Sequence, residues 1–331
     1  MKKRKIAVLG ASGAVGREMI SILMEEGFGQ KDITALGGKS AGSIIDISGE
    51  RFSVRSAEDF DFSGADVVFG AVSAELARFY APRIKSAGAV FIDNSSAFRL
   101  DPDVPLVVPE INPHDAEAHH GTIANPNCST IITAVAVGGI NRLSPIKSMT
   151  VSTYQAVSGA GSEGITELKE QIAASVTGGD TVPRVFPYRI AENVIPCISS
   201  PCENLYTDEE MKLQREGRKI FGLPSLCVNC TCVRVPVVRS HSVSVTLYCE
   251  RPVSVYEARD AISRFDGCVL FDDIREGKYP MPILSSGGDA VLVGRVRETL
   301  DGLGGINLFC CGDQLRKGAA KNAVQIMGLL T

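Results

Sequence analysis

The stretch Ile6–Gly16, IAVLGASGAVG, places three glycines at intervals of three directly after a short apolar run. From Val15 to Leu23 apolar residues recur with helical spacing, which predicts a helix. A buried strand, a glycine turn and a helix form the β-turn-α unit of dinucleotide-binding domains. Glycines there let the backbone approach a pyrophosphate, which the helix N-terminus stabilises. The spacing GxxGxxG differs from the common GxGxxG, and a plain strand-to-helix turn is the alternative.

Apolar strand patterns alternate with helical patterns in the first part of the chain. The runs 65–72 (ADVVFGAV) and 88–96 (GAVFIDNSS) flank a segment of helical period. This alternation predicts a parallel sheet with helices on both faces. Near residue 128 the pattern changes to a helix-like run followed by longer strands, which predicts an α+β domain with helices on one face of its sheet. The tail from Gly312 is amphipathic and predicts a long final helix, but its period does not indicate which domain it packs on.

Composition excludes several classes of protein. The chain has 331 residues, enough for two domains. A formal net charge of −4 provides no general attraction to nucleic acid or anionic membranes. No apolar run reaches the roughly 18 residues of a membrane-spanning helix, and the basic start breaks into glycines at Gly10 instead of continuing as a signal peptide. We therefore expect a cytoplasmic protein without nucleic-acid or membrane partners.

Ten cysteines in such a chain favour reduced thiols over a disulfide framework. The segment Cys227–Cys232, CVNCTC, includes a CxxC spacing, lacks a second well-spaced pair, and continues as an apolar strand pattern. We interpret these cysteines as small strand side chains and expect no metal, with a zinc or redox module as the alternative.

One cysteine and one histidine lie in sequence surroundings that differ from those of the other cysteines and histidines. Cys128, in ANPNCSTI, lies in a polar turn directly before a helix-like run, where a helix N-terminus stabilises a thiolate. It is a candidate nucleophile, with a loop cysteine of no chemical role as the alternative. His241 lies between apolar strand segments, seven residues after Arg234, and is either a general base or a hydrogen-bonded strand histidine. The other three histidines lie in a polar stretch where a solvated role is expected.

Three further groupings of charged and polar residues bear on ligand binding. Arg99 ends a strand pattern, at the edge where doubly wound sheets bind ligands. Glu209 and Lys212 lie on a helical pattern whose ordinary interpretation is a solvated face. After the second strand the chain has no carboxylate but offers Lys39 and Ser40, which favours NADP over NAD, although Asp32 lies close by.

Twelve collinear segments together resemble the aspartate-β-semialdehyde dehydrogenase family of the bacterial type. They run from GASGAVG near the N-terminus, through FIDNSSAFR, ANPNCST, TYQAVSGAG and CVRVPVVRSHS, to LRKGAAKNAVQ near the C-terminus. The resemblance implies an α/β fold with an N-terminal Rossmann-like dinucleotide-binding domain, residues 1–128 with 311–331. It also implies an α+β catalytic and dimerisation domain, residues 129–310, and a homodimer or homotetramer.

The resemblance also implies roles for individual residues. Cys128 would be the nucleophile, His241 the acid/base and Gln155 the residue that orients the substrate. The implied substrate contacts are Arg234 with the carboxylate, Glu209 with the amino group, and Arg99, Lys212 and Asn127 with phosphate. The implied NADP contacts are Gly10, Ser12, Gly13, Ala14, Val15, Gly16, Lys39, Ser40, Ser158, Gly159 and Gln314.

The activity implied is the reversible NADPH-dependent reductive dephosphorylation of L-4-aspartyl phosphate to L-aspartate 4-semialdehyde and phosphate, through a thioacyl enzyme. It would serve lysine, threonine and methionine biosynthesis. Two departures concern the cofactor. Gly37 and Lys39 replace the serine and arginine usual around the 2′-phosphate; lysine keeps the charge without the bidentate fork, so discrimination against NAD would weaken. Gln314 replaces an asparagine and keeps an amide.

Competing interpretations share part of this pattern. N-acetyl-glutamyl-phosphate reductase and glyceraldehyde-phosphate dehydrogenase use the same thiol, histidine and dinucleotide, but the NPNC box and the spacing of RVPVVRSH disfavour both. A catalytically silent binding protein is the alternative outside enzymes, and it is disfavoured because Cys128, Gln155, Arg234 and His241 are all present.

Overall fold

The computed structural model describes residues 4–330. The chain forms two compact units, one of residues up to Asn127 together with those from Ala319 onward, the other Cys128–Gly318. No helix within the described residues is both long and apolar enough to cross a membrane.

The first unit is built on a six-stranded, wholly parallel sheet of order β5-β2-β1-β6-β7-β8. Its strands, including a separate β3–β4 hairpin, are β1 (Ile6–Leu9), β2 (Ile33–Gly37), β3 (Ile44–Ile47), β4 (Glu50–Ser53), β5 (Arg55–Ser56), β6 (Val67–Gly70), β7 (Val90–Asp93) and β8 (Thr122–Ala124). Its helices are α1 (Ala14–Glu25), α2 (Ala74–Ser86) and, from the chain end, α8 (Lys321–Leu329), with 3₁₀ turns at Phe62–Gly64 and Pro113–Ala118.

Strand β1 contributes residues to the hydrophobic core on both faces of this sheet. Ile6 and Val8 point into a cluster with α1 and α8, whereas Ala7 and Leu9 point into a cluster with α2. Successive strand residues face opposite sides, so a continuously apolar strand indicates a sheet covered on both faces. The doubly covered parallel sheet predicted from the sequence is confirmed.

The end of the chain completes the first unit. Asn322 of α8 donates from Nδ2 to the carbonyl oxygen of Val107 at 3.0 Å and to Oδ1 of Asn125 at 2.7 Å. Both bonds are buried, so they hold α8 against the loops that follow β7 and β8. The tail is not one long α-helix: residues Arg316–Ala320 form a π-helical turn before α8 begins.

The second unit is built on a mixed six-stranded sheet of order β10-β9-β11-β14-β13-β12. Its strands are β9 (Ile146–Gln155), β10 (Cys227–Arg234), β11 (His241–Cys249), β12 (Cys268–Leu270), β13 (Val291–Glu298) and β14 (Ile306–Gly312). Its helices are α3 (Cys128–Leu143), α4 (Gly161–Thr177), α5 (Asp208–Phe221), α6 (Val255–Ser263) and α7 (Pro282–Ser285), with a 3₁₀ turn at Val157–Ala160. Helices α3, α5 and α6 pack against the strands, and β10 alternates exposed and buried residues, as the α+β pattern predicts.

The observed division differs slightly from the boundary expected at residue 311. Strand β14 runs through Gly312, which pairs with His241 of β11, and residues up to Gly318 group with the second unit. The tail therefore joins the first unit only from Ala319.

In the glycine turn between β1 and α1, two positions have no room for a side chain and the third position does. Gly10 has φ +84°, and a Cβ there would lie 2.2 Å from the carbonyl oxygen of Ala71. A Cβ at Gly16 would lie 2.2 Å from the carbonyl oxygen of Gly10. At Gly13, the N-cap of α1, a Cβ would meet only an ordinary contact at 3.4 Å. Gly10 and Gly16 are needed by the turn itself, whereas Gly13 leaves the helix N-terminus accessible to a ligand.

We expect Gly10→Ala to destabilise the protein much more than Gly27→Ala. Gly27 also has a positive φ, +86°, but nothing lies within 4 Å of a Cβ there, so alanine costs only the left-handed conformation, about 1–2 kcal/mol. At position 10 the overlap with Ala71 adds to that cost, for a total of about 3 kcal/mol or more. Urea unfolding of both variants measures the difference, and equal losses would contradict the packing described.

Candidate active site

Three neighbouring strand ends meet at one edge of the second sheet. Strands β9 and β10 are parallel and end in register at Gln155 and Arg234. Strand β11 runs antiparallel to β9 and begins at His241. Because an antiparallel strand starts at the edge where its neighbour ends, these three side chains converge although they are far apart in sequence.

The His241 imidazole is fully buried and held at one nitrogen. The backbone N–H of Ala156 donates to Nδ1 at 3.0 Å, and Nε2 has no hydrogen-bond partner among residues 4–330. Burial lowers the pKa of His241 to about 3, with the neighbouring Arg234 cation acting in the same direction and Glu209 opposing it. The ring is therefore neutral at physiological pH.

Arg234 is a buried cation beside this histidine. It is 7% exposed, and its Nη1 donates to the carbonyl oxygen of Ala156 at 2.7 Å, with the guanidinium 5.8 Å from the ring centroid of Phe186. Burial lowers the pKa of Arg234, whereas the Cys128 thiolate and the Glu209 carboxylate raise it. The pKa of Arg234 therefore depends on both neighbouring anions.

Helix α5 brings an acidic and a basic side chain to the same region. Both carboxylate oxygens of the buried Glu209 accept hydrogen bonds, one from Gln155 Nε2 at 3.2 Å and one from Lys212 Nζ at 3.0 Å. The expectation of a solvated helix face is wrong for Glu209, which is 6% exposed. Gln155, Glu209 and Lys212 form a connected polar network instead.

The position of α5 has a local cause in its first turn. Thr207 and Glu210 form a reciprocal capping box at the helix N-terminus. The second carboxylate oxygen of Glu210 accepts the backbone N–H of Cys232 at 3.0 Å, on the edge strand β10. A single side chain thus caps the helix and ties it to the strand that ends at Arg234, which places the adjacent Glu209 over that strand's end.

Gly159 lies directly against the arginine and the histidine. A Cβ at this position would lie 2.8 Å from Arg234 Nη1 and 3.3 Å from His241 Nε2. The absence of a side chain therefore lets the guanidinium and the imidazole approach the backbone closely. Gly159 itself is exposed.

Cys128 is the first residue of α3 and is partly exposed. A Cβ at Gly318 would lie 3.1 Å from the Cys128 Cβ, so this glycine allows the cysteine to sit against the π-helical turn. The helix N-terminus and the electrostatic contact with Arg234 both favour the thiolate form.

Ser158 and Gln314 form a hydrogen-bonded pair. The Gln314 amide donates to the Ser158 hydroxyl and accepts the backbone N–H of Ser240 at 2.8 Å. Ser240 adopts φ +73° directly before His241. Gln314 therefore links the turn after β9 to the start of β11, because both ends of its amide group are in use.

Within the first unit, the glycine turn and the segment after β2 are in contact. The hydroxyls of Ser12 and Ser40 lie 3.0 Å apart, and Lys39 beside them is exposed. At Gly37 a Cβ would lie 2.3 Å from Ser40 Oγ, so the Ser40 hydroxyl occupies the space that a side chain at position 37 would need. Ala14 and Val15 begin α1 next to this turn.

Arg99 is also buried. It lies in the segment that follows β7 of the first sheet. Its Nε donates to the carbonyl oxygen of Asn125 at 3.0 Å, and Nη2 donates to that of Asn94 at 2.7 Å. Asn127 is buried two residues after Asn125. Backbone carbonyls therefore hold the Arg99 guanidinium in one orientation.

The cysteines of the CVNCTC segment match the strand interpretation. Cys230 and Cys232 are buried on one face of β10, with their Sγ atoms 3.7 Å apart, and Cys227 is exposed. Residues 4–330 contain no group of three or more His, Cys, Asp or Glu side chains arranged to hold a metal ion.

Sequence reasoning missed Ala156, Thr153 and Gly318. Ala156 contributes only its backbone, which bonds to both His241 and Arg234, and Thr153 Oγ1 accepts from Gln155 Nε2 at 3.3 Å. A backbone contact leaves no residue-type signal, so only the observed strand register reveals it.

Comparisons with known proteins all identify semialdehyde dehydrogenases. The semialdehyde dehydrogenase NAD binding domain matches residues 5–119, and the semialdehyde dehydrogenase dimerisation domain matches residues 138–317. Aspartate-semialdehyde dehydrogenase from Synechocystis sp. is 43% identical over 98% of this chain and 97% of its own. The Bacillus subtilis enzyme of the same name is 40% identical over 97% and 95%.

A solved structure is similarly close. The crystal structure of aspartate semialdehyde dehydrogenase II complexed with ASA from Vibrio cholerae superimposes with a TM-score of 0.96 at 40% identity, covering 100% of this chain and 98% of that one. The shared domains are those of an oxidoreductase that acts on an aldehyde with a nicotinamide dinucleotide. This chain belongs to the aspartate-semialdehyde dehydrogenase family.

Proposed function

We propose that this protein catalyses the reversible, NADPH-dependent reductive dephosphorylation of L-4-aspartyl phosphate to L-aspartate 4-semialdehyde and phosphate. The observation that carries the proposal is the buried group at the edge of the second sheet, in which the Arg234 cation, the Glu209 carboxylate and the neutral His241 imidazole lie together. The product would supply lysine, threonine and methionine biosynthesis. The experiment that tests it is an NADP-reduction assay with aspartate semialdehyde, with and without phosphate, and with other aldehydes for comparison.

The two charged groups suit the two ends of an α-amino acid. A carboxylate pairs with a buried guanidinium through short, charge-assisted bonds, which makes Arg234 its proposed partner. The Glu209 carboxylate would pair with the ammonium group, and Gln155, bonded to Glu209 at 3.2 Å, would orient the side chain that carries the aldehyde. A substrate with no amino group would leave Glu209 poorly matched, which disfavours a glyceraldehyde phosphate.

Sulfur at position 128 suits both halves of the reaction. A thiolate adds readily to an aldehyde carbon, and the thioester formed after oxidation is open to displacement by phosphate. Lys212, Arg99 and Asn127 are the proposed phosphate contacts. A serine ester would be a poor match for phosphate displacement.

For the cofactor we propose NADP. Bound at the glycine turn, it would accept hydride in one direction and supply it in the other. Gly10, Ser12, Gly13, Ala14, Val15 and Gly16 are the proposed diphosphate contacts, and Ser158 and Gly159 the proposed nicotinamide contacts. Lys39, with Ser40 held at 3.0 Å from Ser12, would meet the 2′-phosphate, because a cation and a hydroxyl suit a phosphate better than a ribose hydroxyl. We assign Gln314 an indirect part, through the Ser158 hydroxyl that it binds.

We further propose that the protein is a homodimer, or a tetramer built from such dimers. The dimerisation-domain match spans residues 138–317, and the uncovered sheet face exposes Tyr154 by 39%. Light scattering on the purified protein distinguishes the two assemblies, and a monomer would contradict both.

Cys128→Ser should lower phosphate-dependent NADPH formation by at least about three orders of magnitude and leave NADPH binding intact, because only the nucleophile is changed. Steady-state absorbance and fluorescence titration measure the two quantities. Cys249→Ser is the matched control, at the opposite end of β11 and about 26 Å along the strand from His241. A Cys128→Ser enzyme with most of its activity would rule out the thioacyl route.

Arg234→Ala should raise the KM for aspartate semialdehyde about 100-fold or more and change the KM for phosphate much less. The reason is that a buried charge-assisted contact to the substrate carboxylate is lost. Arg264→Ala, which removes a guanidinium that is 78% exposed, is the control. The reverse pattern of the two KM values would mean that Arg234 binds phosphate.

Lys39→Ala should raise the KM for NADPH about tenfold while leaving the KM for NADH nearly unchanged, because only NADPH carries the 2′-phosphate. Lys31→Ala, an exposed lysine at the other end of β2, controls for the loss of a positive charge. An equal effect on both cofactors would remove Lys39 from the 2′-phosphate site.

A further inference from the structure

Three asparagine side chains of the first unit are joined by hydrogen bonds. Asn322 of α8 donates from Nδ2 to Oδ1 of Asn125 at 2.7 Å, and Asn125 donates from Nδ2 to Oδ1 of Asn94 at 2.8 Å. Asn322 and Asn125 are almost completely buried, and Asn94 is half-buried. We call these three side chains the asparagine network. It connects the C-terminal helix to the segments that follow β8 and β7, although Asn322 lies 197 positions from Asn125 in the sequence.

Backbone carbonyl groups fix the direction of these bonds. Each of the three amide nitrogens also donates to a carbonyl oxygen: Asn322 to Val107 at 3.0 Å, Asn125 to Ala319 at 3.1 Å, and Asn94 to Gly70 at 2.9 Å. A carbonyl oxygen can only accept, so each amide must present its nitrogen there. If the Asn125 amide were turned over, its oxygen would face two other oxygens. The network therefore has one stable arrangement, in which Asn322 is the donor to Asn125.

Two residues of the network also hold the Arg99 guanidinium, through their backbone. Arg99 Nε donates to the carbonyl oxygen of Asn125 at 3.0 Å, and Nη2 donates to that of Asn94 at 2.7 Å. The backbone N–H of Asn125 donates to the carbonyl oxygen of Asp93 at 2.7 Å, and Pro126 restricts the backbone conformation of the residue before it. The Asn125 side chain is bonded at both its oxygen and its nitrogen, so the direction of its backbone carbonyl is held from several sides.

The orientation of the Arg99 plane matters for binding an anion. A guanidinium recognises phosphate with N–H donors in a fixed planar fork, so its strength depends on the direction of the plane as well as on its charge. Two carbonyl acceptors, from Asn125 and Asn94, define that plane. A change in the position of either peptide group would turn the fork while leaving the charge in place.

We propose that Asn322 is a positioning residue for phosphate binding, which acts through Asn125 and Asn94 on the orientation of the Arg99 guanidinium. The inference rests on the proposed function, in which Arg99 is a phosphate contact. Asn322 itself lies on the C-terminal helix and bonds to Asn125 and to the Val107 carbonyl. Its effect on phosphate therefore passes through the network.

The first test follows the Arg99 side chain without substrate. In ¹⁵N-arginine-labelled protein, the Nε–H signal that Arg99→Lys removes belongs to Arg99, and its exchange with solvent reports the bond to the Asn125 carbonyl. Asn322→Ala should speed this exchange by about tenfold or more, because the peptide group that accepts the bond is less firmly held. Gln325→Ala is the matched control: it removes another side-chain amide of α8, which donates to Glu110 at 2.9 Å outside the network. Equal exchange in wild type and Asn322→Ala would overturn the inference.

The second test separates positioning from a general loss of stability. A displacement of about 1 Å can cost 100-fold in rate, and we expect Asn322→Ala to raise the KM for phosphate about tenfold. The KM for aspartate semialdehyde should change less than about twofold, as should both KM values of Gln325→Ala, because neither contact involves the network. Parallel increases of both KM values in Asn322→Ala would mean a merely structural role.

A double-mutant cycle identifies the route of the effect. In an Arg99→Ala background, Asn322→Ala should raise the phosphate KM by less than about twofold, because the group it positions is already absent. A full tenfold increase there would overturn the route through Arg99. If Asn322→Ala does not fold, Asn94→Ala replaces it in every comparison, since it breaks the network at its half-buried end and keeps the carbonyl that Arg99 binds. Absence of turnover in the wild type would count against the proposed function, and the exchange comparison would then decide the inference.

Discussion

The backbone of Ala156 holds two buried polar side chains of the second unit. Its N–H binds Nδ1 of His241 and its carbonyl oxygen accepts Nη1 of Arg234. Both side chains are almost completely buried, where a polar group without a partner is costly. Any shift at the end of β9 would therefore move the imidazole and the guanidinium together, which makes this strand end the reference point of the site.

The electrostatic environment gives the Arg234 and His241 side chains different charge states. Arg234 keeps its charge because a guanidinium is protonated even after burial lowers its pKa, and the Cys128 thiolate and Glu209 favour the cation. His241 loses its charge under the same burial because its ordinary pKa is close to neutrality. One environment thus produces a permanent cation and, next to it, a neutral imidazole.

Glycines, which lack a side chain, determine the packing around the candidate sites as much as the larger residues do. Gly10 and Gly16 are required by the backbone of their own turn, and Gly159 by the close approach of Arg234 and His241, whereas Gly13 leaves room that the protein does not fill. At Gly37 the chain differs from the usual family pattern, and the Ser40 hydroxyl occupies the freed space.

The sequence by itself determined the local elements and the candidate residues. The apolar run before Gly10 and the helical spacing after it are local signals of a β-turn-α unit, and the polar turn around Cys128 before α3 is equally local. The roles of Glu209 and Lys212 came from the family resemblance, because their helical spacing alone resembles a solvated face. Only the tertiary structure decided that Gln155, Arg234 and His241 meet, that Ala156 contacts two of them, and that the second unit extends to Gly318. The physical reason is that strand register and backbone hydrogen bonds join residues distant in the chain, and an alanine amide leaves no trace in residue type.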